Sequence, residues 1–306
     1  VHAMGQGELA ELRALANLIA RVSGTALGYL PDGANSTGAW LVGAVPHRLP
    51  GGAASAGRDV GNMINDGLRA CFLLGVEPEF DTAQPARARA AIEAADFVVA
   101  MNSFVSGSMK DYADVLLPIT TWAETAGTYV NIEGTWQSFT AAIEPLFESR
   151  PAWKVLRVLG NLFELDGFEQ ITAEDVREEA RAAIGEVSLD SSSAWRPLDA
   201  LPRDGEGLQR IGFLPIYAVD GLTRRAAPLQ ATADAPPAAI YLNSKLAEKT
   251  GLSEGESAVA RQDNCAVTLP VIIDEAVPDG CVLIPQAIKG TELLASATGQ
   301  ISVEPA

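Results

Sequence analysis

The chain has 306 residues, 48% of them hydrophobic and 20% charged, which supplies a sizeable core and excludes a disordered chain. Twenty-two Lys and Arg against 39 Asp and Glu leave a formal charge of −17. Nucleic-acid backbones and anionic lipid surfaces repel such a surface, and no apolar run reaches the ~18–20 residues of a spanning helix, so neither nucleic-acid binding nor direct membrane insertion is expected.

Leu9, Leu12, Ala16, Ile19 and Val22 recur at helical spacing and predict an amphipathic helix over 8–23. Thr25–Leu30 reads as a strand stopped by Pro31-Asp32-Gly33, and Pro50–Gly57 as a flexible loop. A short helix near 59–68 leads to a buried strand, Ala70–Leu74, ending in Gly75-Val76-Glu77-Pro78. A helix over 86–94, strand Phe97–Asn102 and strand Asp114–Leu117 complete a βαβ-type alternation, the pattern of a mainly parallel sheet. Trp153, Leu156, Leu159, Leu162 and Phe163 mark a further helix. Thr172 with Asp175 resembles a capping box for another, over 173–184. Residues 188–208 are rich in Ser, Pro, Asp and Gly and read as linker. A second breaker cluster, Ala231–Pro237, precedes short β-type runs at 240–242, 258–261, 267–273 and 282–284, with a helix at Ser244–Thr250. Three regions are therefore expected: an α/β region over 1–187, a linker and subunit-contact segment over 188–237, and a barrel-like β domain over 238–306.

Cys71, Cys265 and Cys281 are scattered, and His2 and His47 are the two histidines. An iron–sulfur cluster or a structural zinc wants about four such ligands, so no metal ligand is assigned. The odd cysteine count suits a reducing compartment. No signal peptide is expected, and the opening Val1 suggests a fragment or a processed product.

Several constellations have both a chemical and an ordinary reading. Gly5-Gln6-Gly7-Glu8-Leu9-Ala10, with Asp32 downstream, matches a dinucleotide-binding turn; an ordinary tight turn is preferred, because Glu8 would face the phosphates. Gly251-Leu252-Ser253-Glu254-Gly255 matches a nucleophile elbow, but the helix comes before it and strands after it, the reverse of what the elbow needs. A turn into a barrel strand is expected there. Glu124 and Glu133 could form an acid/base pair, although loop hydrogen bonding is the simpler role. Arg224 and Arg225, near Tyr217 and Asp220, suit either a contact surface for an acidic partner or a solvated basic spot. The helix start between Arg150 and Arg157 is a further candidate contact surface.

Asp114-Val115-Leu116-Leu117-Pro118, followed by Glu124-Thr125-Ala126-Gly127-Thr128-Tyr129-Val130-Asn131-Ile132-Glu133-Gly134, resembles the molybdopterin oxidoreductase superfamily, whose pattern runs roughly D-V-x-L-P and then E-x-x-G-T-x-x-N-x-E-G-R. Leu30–Ser36 with Gly38-Ala39, Leu73–Asp81, Arg150–Arg157 and Pro215–Arg225 are similar to the G-subunit family of bacterial NADH–quinone oxidoreductase (respiratory complex I), whose mitochondrial counterpart is the 75-kDa subunit. The resemblance spans essentially the whole chain and corresponds to the C-terminal part of that larger protein. It implies Rossmann-like parallel-sheet layers of the molybdopterin oxidoreductase type, followed by a small β-rich barrel-like domain.

The resemblance also implies a function. The chain would be a scaffold without catalytic residues, in a complex that carries electrons from NADH through iron–sulfur clusters to quinone. It would pack among other peripheral-arm subunits, on the cytoplasmic side of the bacterial inner membrane. The family's [2Fe–2S] and [4Fe–4S] clusters belong to an N-terminal region absent from this sequence, and no cofactor is expected in this chain. Gly75, Glu77, Glu124, Gly127, Thr128, Asn131 and Glu133 are the candidates for a vestigial pterin site. Active relatives often carry Asn where Glu77 stands, in a turn facing a cofactor nucleotide, and Arg where Thr135 stands. A carboxylate near pyrophosphate is unfavourable unless paired, and Thr135 removes a bidentate donor. The alternative is a catalytic molybdopterin-dependent fragment of the formate dehydrogenase type.

Overall fold

A computed structural model describes residues 9–31, 33–188 and 207–306 of the chain. The described chain opens on helix α1 (Leu9–Ser23) and a short helix α2 (Ser36–Leu41), followed by a 3-10 turn at Pro50–Gly52 and α3 (Val60–Asp66). The Gly5–Ala10 turn and Asp32 fall, wholly or in part, outside the described residues. Thr25–Leu30 forms no strand. β-rich composition does not hold a strand without a neighbouring ladder, and none of the described strands pairs with it.

Three parallel strands follow in the expected places: β1 (Ala70–Leu74), β2 (Phe97–Asn102) and β3 (Val115–Pro118), in spatial order β1-β2-β3. Helices α4 (Pro78–Asp81) and α5 (Pro85–Glu93) connect β1 to β2, and α6 (Met109–Tyr112) connects β2 to β3. Moving the same way twice with right-handed crossovers puts both connections on one face of the sheet. That face buries Cys71, Val98 and Ala100 against Ile92, Met109 and Tyr112. Asp114 accepts the Val98 N–H at 2.7 Å and pins the start of β3 to β2. The opposite face leaves Phe72, Leu74 and Phe97 almost half exposed.

A two-stranded hairpin, β4 (Gly127–Val130) and β5 (Trp136–Phe139), comes next. Helix α7 (Ala152–Leu162) follows it, and then α8 (Ala173–Ile184). The Thr172–Asp175 capping box forms as expected, with the Asp175 N–H donating to Thr172 Oγ1 and the Thr172 N–H to Asp175.

The remaining strands close a barrel in the order β10-β6-β11-β8-β9-β7, from β6 (Leu208–Ile211), β7 (Ile240–Leu242), β8 (Ser257–Gln262), β9 (Cys265–Ile273), β10 (Cys281–Leu283) and β11 (Thr298–Pro305). Alternate residues point inward, and Ile240, Leu242, Ala258, Val271, Val282 and Leu294 lose all solvent contact in the core. Closure leaves no sheet edge to protect. Between β6 and β7 the chain leaves the barrel through short helical turns, including α9 (Ala227–Gln230), before returning. Helix α10 (Ser244–Thr250) is capped by Asn243, which accepts the Leu246 N–H at 2.9 Å, and by Gly251 in the left-handed conformation. Gly251–Gly255 is thus the turn from α10 into β8, as expected.

Two barrel strands lie outside the runs read from the sequence. β6 falls at the end of the stretch read as linker, and β11 closes the ring between β6 and β8. Truncating Leu294 to Ala inside the barrel is expected to cost about 2–5 kcal/mol, as for other buried large-to-small changes. Urea unfolding followed by circular dichroism measures it.

Candidate functional site

The carboxyl ends of β1, β2 and β3 are where an open parallel sheet presents its ligand crevice. Gly75 turns the chain there with φ 65°, and its N–H donates to the Met101 carbonyl at 2.8 Å. Glu77 follows at the N-cap position of α4, making no side-chain cap bond, with Pro78 at the first helical position. It is only 1% exposed.

Glu77 is not an isolated anion. Arg224 donates to its Oε2 from Nε (3.2 Å) and Nη2 (2.9 Å), while Arg225 donates to Oε2 at 3.0 Å and to Oε1 at 2.5 Å. Arg224 also reaches Asp81 Oδ1 at 2.9 Å and the Ala218 carbonyl at 2.8 Å. Asp81 in turn accepts the Glu77 N–H. The two guanidinium groups lie over the Phe80 and Phe104 rings, at 5.2 and 5.0 Å. Asp220 orders the arginine-bearing turn by accepting the Leu222 and Thr223 N–H groups, both at 2.8 Å. Two cations and two carboxylates therefore balance across the junction of the sheet lobe with the segment between β6 and β7.

This arrangement corrects the sequence reading of Arg224 and Arg225. They are neither a solvated basic spot nor a surface for an acidic partner, because their acidic partner is Glu77 of the same chain, 147 and 148 residues earlier. Burial alone would push the Glu77 carboxyl up. The hydrogen bonds and charges of Arg225 and Arg224 outweigh it and hold the group below its ordinary value. Burial likewise opposes the charge on Arg224, and Asp81 and Glu77 overcome it. Beside this clamp, buried Glu79 accepts from Ser106 Oγ at 3.1 Å and from the Tyr112 hydroxyl at 3.4 Å. Burial and then the Glu79 charge raise the Tyr112 hydroxyl well above the usual phenol range.

The other candidates lie in the loop after β3 and in the hairpin. Glu124 is buried, with Oε2 taking the Thr121 N–H (2.8 Å) and hydroxyl (2.9 Å) and Oε1 taking the Leu146 N–H (2.9 Å). Burial opposes its charge, but these donors hold its carboxyl low. Gly127 pairs with Phe139 across the hairpin, and a Cβ there would sit 2.9 Å from the Phe139 ring. Thr128 Oγ1 and Ser138 Oγ are 3.0 Å apart, and Ser138 accepts from Arg177. Asn131 shapes the hairpin turn by accepting the Glu133 and Thr135 N–H groups at 3.0 and 2.9 Å. Asn35 accepts the Val130 N–H at 2.8 Å and ties α2 to β4.

Glu133 is exposed at the tip of that turn, whereas Glu124 is committed to its loop. The Glu124 carboxylate is taken up by loop hydrogen bonds, and Glu133 enters the turn through its backbone N–H. Gly75 and Glu77 thus form one cluster, and the residues from Glu124 to Glu133 form another. Among the described residues no group of three or more His, Cys, Asp or Glu side chains could hold a metal ion. His47 stacks edge-on against Trp40, with ring centroids 4.9 Å apart.

A buried residue that the sequence reading did not single out is Arg210 on β6, 4% exposed. Its Nη1 donates to Gln262 Oε1 at 3.1 Å and to the Ser296 carbonyl. Its Nε has no partner among the described residues, and burial pulls its pKa down to about 10. It lines a cavity of about 20 Å³ between the barrel and α4. Nothing in the pattern around 208–211 marks it, since a charged residue at an inward strand position reads as a surface residue.

A family model for molybdopterin oxidoreductases matches residues 6–162. The chain belongs to the molybdopterin oxidoreductase family. It is 29% identical over 309 aligned residues to the G subunit of NADH-quinone oxidoreductase from Streptomyces coelicolor, covering 90% of this chain and 36% of that protein. It is 28% identical over 299 residues to the corresponding protein of Mycobacterium bovis, covering 87% and 36%. The chain therefore spans about a third of the length of these curated relatives. Among solved structures, acetylene hydratase from Pelobacter acetylenicus matches with a TM-score of 0.56 at 16% identity, over 78% of this chain and 44% of that one, a likeness of fold.

The family name raises the question of whether a pterin dinucleotide fits here. A ligand of that size needs a pocket of about 300–1,000 Å³ with free polar groups. The cavity at the lobe junction is about 20 Å³, enough for roughly one water molecule. The arginines that could hold a pyrophosphate are bound to Glu77 and Asp81. A second cleft, of about 290 Å³, is lined by Leu41, Trp136, Arg181, Ile184 and Val187, away from the carboxyl ends of β1–β3. As the described residues form it, the carboxyl end of the sheet is occupied by the Glu77–Arg224–Arg225 clamp.

Two outcomes are expected. Glu77→Ala leaves two guanidiniums buried against one remaining carboxylate and should destabilise the chain by about 3–5 kcal/mol, the range for breaking a buried pair. Denaturant unfolding reads this, and Glu77→Ala combined with Arg225→Ala should recover part of the loss. The clamp also sets an acid limit. A carboxylate held below its ordinary 4.5 adds stability above that pH, and the gain disappears as pH falls through the lowered value. Thermal melts between pH 7 and 3 should show stability falling below about pH 4.5, and less steeply in Glu77→Gln.

Proposed function

We propose that this chain is the scaffold portion of the G subunit of an NADH–quinone oxidoreductase. On this reading it contributes no catalytic residue and binds no pterin. It holds a cluster-bearing N-terminal region and neighbouring peripheral-arm subunits at fixed spacing, on the cytoplasmic side of the membrane. The complete complex would pass electrons from NADH through iron–sulfur clusters to quinone. No helix among the described residues is long and apolar enough to cross a membrane, and attachment would run through other subunits.

The observation that carries this reading is the Glu77–Arg224–Arg225 clamp at the carboxyl end of β1. At the place where a parallel sheet offers its ligand site, this chain has committed its donors to its own carboxylate. The NADH-quinone oxidoreductase relatives, aligned over about 90% of the chain, supply the context. Electron tunnelling falls steeply with distance, so a domain that only fixes cluster spacing still governs turnover. The second reading, a molybdopterin-dependent catalyst of the formate dehydrogenase type, draws on the family match.

Metal analysis and oxidised-pterin fluorescence of the purified chain separate the two. The scaffold reading expects neither stoichiometric molybdenum or iron nor pterin fluorescence on denaturation. Bound pterin or one molybdenum per chain would overturn it.

A further inference from the structure

Outside the clamp, one group of exposed apolar side chains lies on and beside a fastened loop next to Glu124. Phe147 is 97% exposed, Trp122 64%, Leu146 62% and Ile143 55%. Backbone bonds gather them. The N–H groups of Ala142 and Ile143 both donate to the Ala123 carbonyl, at 2.8 and 3.3 Å. Glu124 Oε1 holds the Leu146 N–H, and Ser149 Oγ returns to the Leu146 carbonyl at 2.6 Å. The loop is thus tied on both sides of Phe147.

Phe147 itself has φ 53°. A bulky side chain rarely adopts this left-handed conformation, and it persists only where the surroundings impose it. A wholly exposed aromatic ring on a strained backbone buries no apolar surface among the described residues. It does order a protruding anchor in advance of binding, and rigid aromatic anchors supply much of the energy of protein interfaces. Glu144 and Glu148 flank the ring and are exposed. The nearest cation in the loop, Arg150, donates to the Ser149 carbonyl.

We propose that the 142–149 loop is a docking knob, whose Phe147 ring enters an apolar pocket rimmed by Lys or Arg on a different polypeptide. The carboxylates at 144 and 148 call for that cationic rim. The buried carboxylate of Glu124, a chemical candidate in the sequence, is here a positioning residue for the knob. This rests on the reading that the chain works inside a multi-subunit oxidoreductase.

The test places p-benzoylphenylalanine at position 147 of the complete subunit in its source organism. Native gels first establish whether the subunit runs in a multi-subunit complex; if it does not, the functional reading fails, and the knob with it. Irradiation of the complex and mass spectrometry should then place the crosslink beside Lys or Arg on another polypeptide of the complex. Crosslinks within the same polypeptide, between two copies, to an acidic surface, or to nothing overturn the knob while leaving the functional reading standing. A companion measurement uses Phe147→Asn, since Asn tolerates positive φ. It should raise the melting temperature of the isolated chain. In the purified complex it should weaken subunit association, read by dilution and mass photometry, about 30-fold or more, the scale for truncating an interface anchor. Unchanged association in Phe147→Asn also overturns the proposal.

Discussion

A single buried carboxylate, Glu77, decides how the two lobes of this chain meet. It lies at the end of a parallel strand with almost no solvent contact, a position where an unpaired charge would be untenable. Arg224 and Arg225 come from the excursion between two barrel strands and meet it there. The dependence is unequal, since Glu77 is the more deeply buried group and Arg224 has Asp81 as a second acidic partner. Asp81 and the rings of Phe80 and Phe104 complete the environment. Such pairs stabilise less than apolar packing of equal volume, but they punish misplacement severely. They suit a junction that must be assembled in one way only.

The hairpin region is self-sufficient in the same sense. Residue types that invite a chemical reading, Glu124, Thr128 and Asn131, direct their polar atoms to the loop and turn that contain them. The match to the molybdopterin oxidoreductase family over residues 6–162 thus coexists with a sheet end whose arginines are paired with carboxylates of the same chain.

How much of this could be read from the sequence follows the range of the interactions. β1, β2, β7, α8 and α10 declare themselves through local periodicity, caps and breakers, and they form where that reading puts them. Thr25–Leu30 carries a similar local signal without a partner and forms no strand. β6 and β11 are short or irregular in pattern and exist because the barrel offers them edges. The pairing of Glu77 with Arg224 spans 147 residues, so no window of sequence contains both partners. Residues 75–77 were legible as a special place. The partner that makes Glu77 special was legible only as a basic pair of unknown purpose.

The wiring of the barrel has a consequence for synthesis on the ribosome. β6 is emitted well before the strands that flank it, because its neighbours in the ring are β10 and β11. The arm bearing Arg224 and Arg225 begins at β6, so it gains a firm foundation only when β11 has emerged. Glu77 is translated well before that. The foundation of that arm is therefore completed only after β10 and β11 have been made.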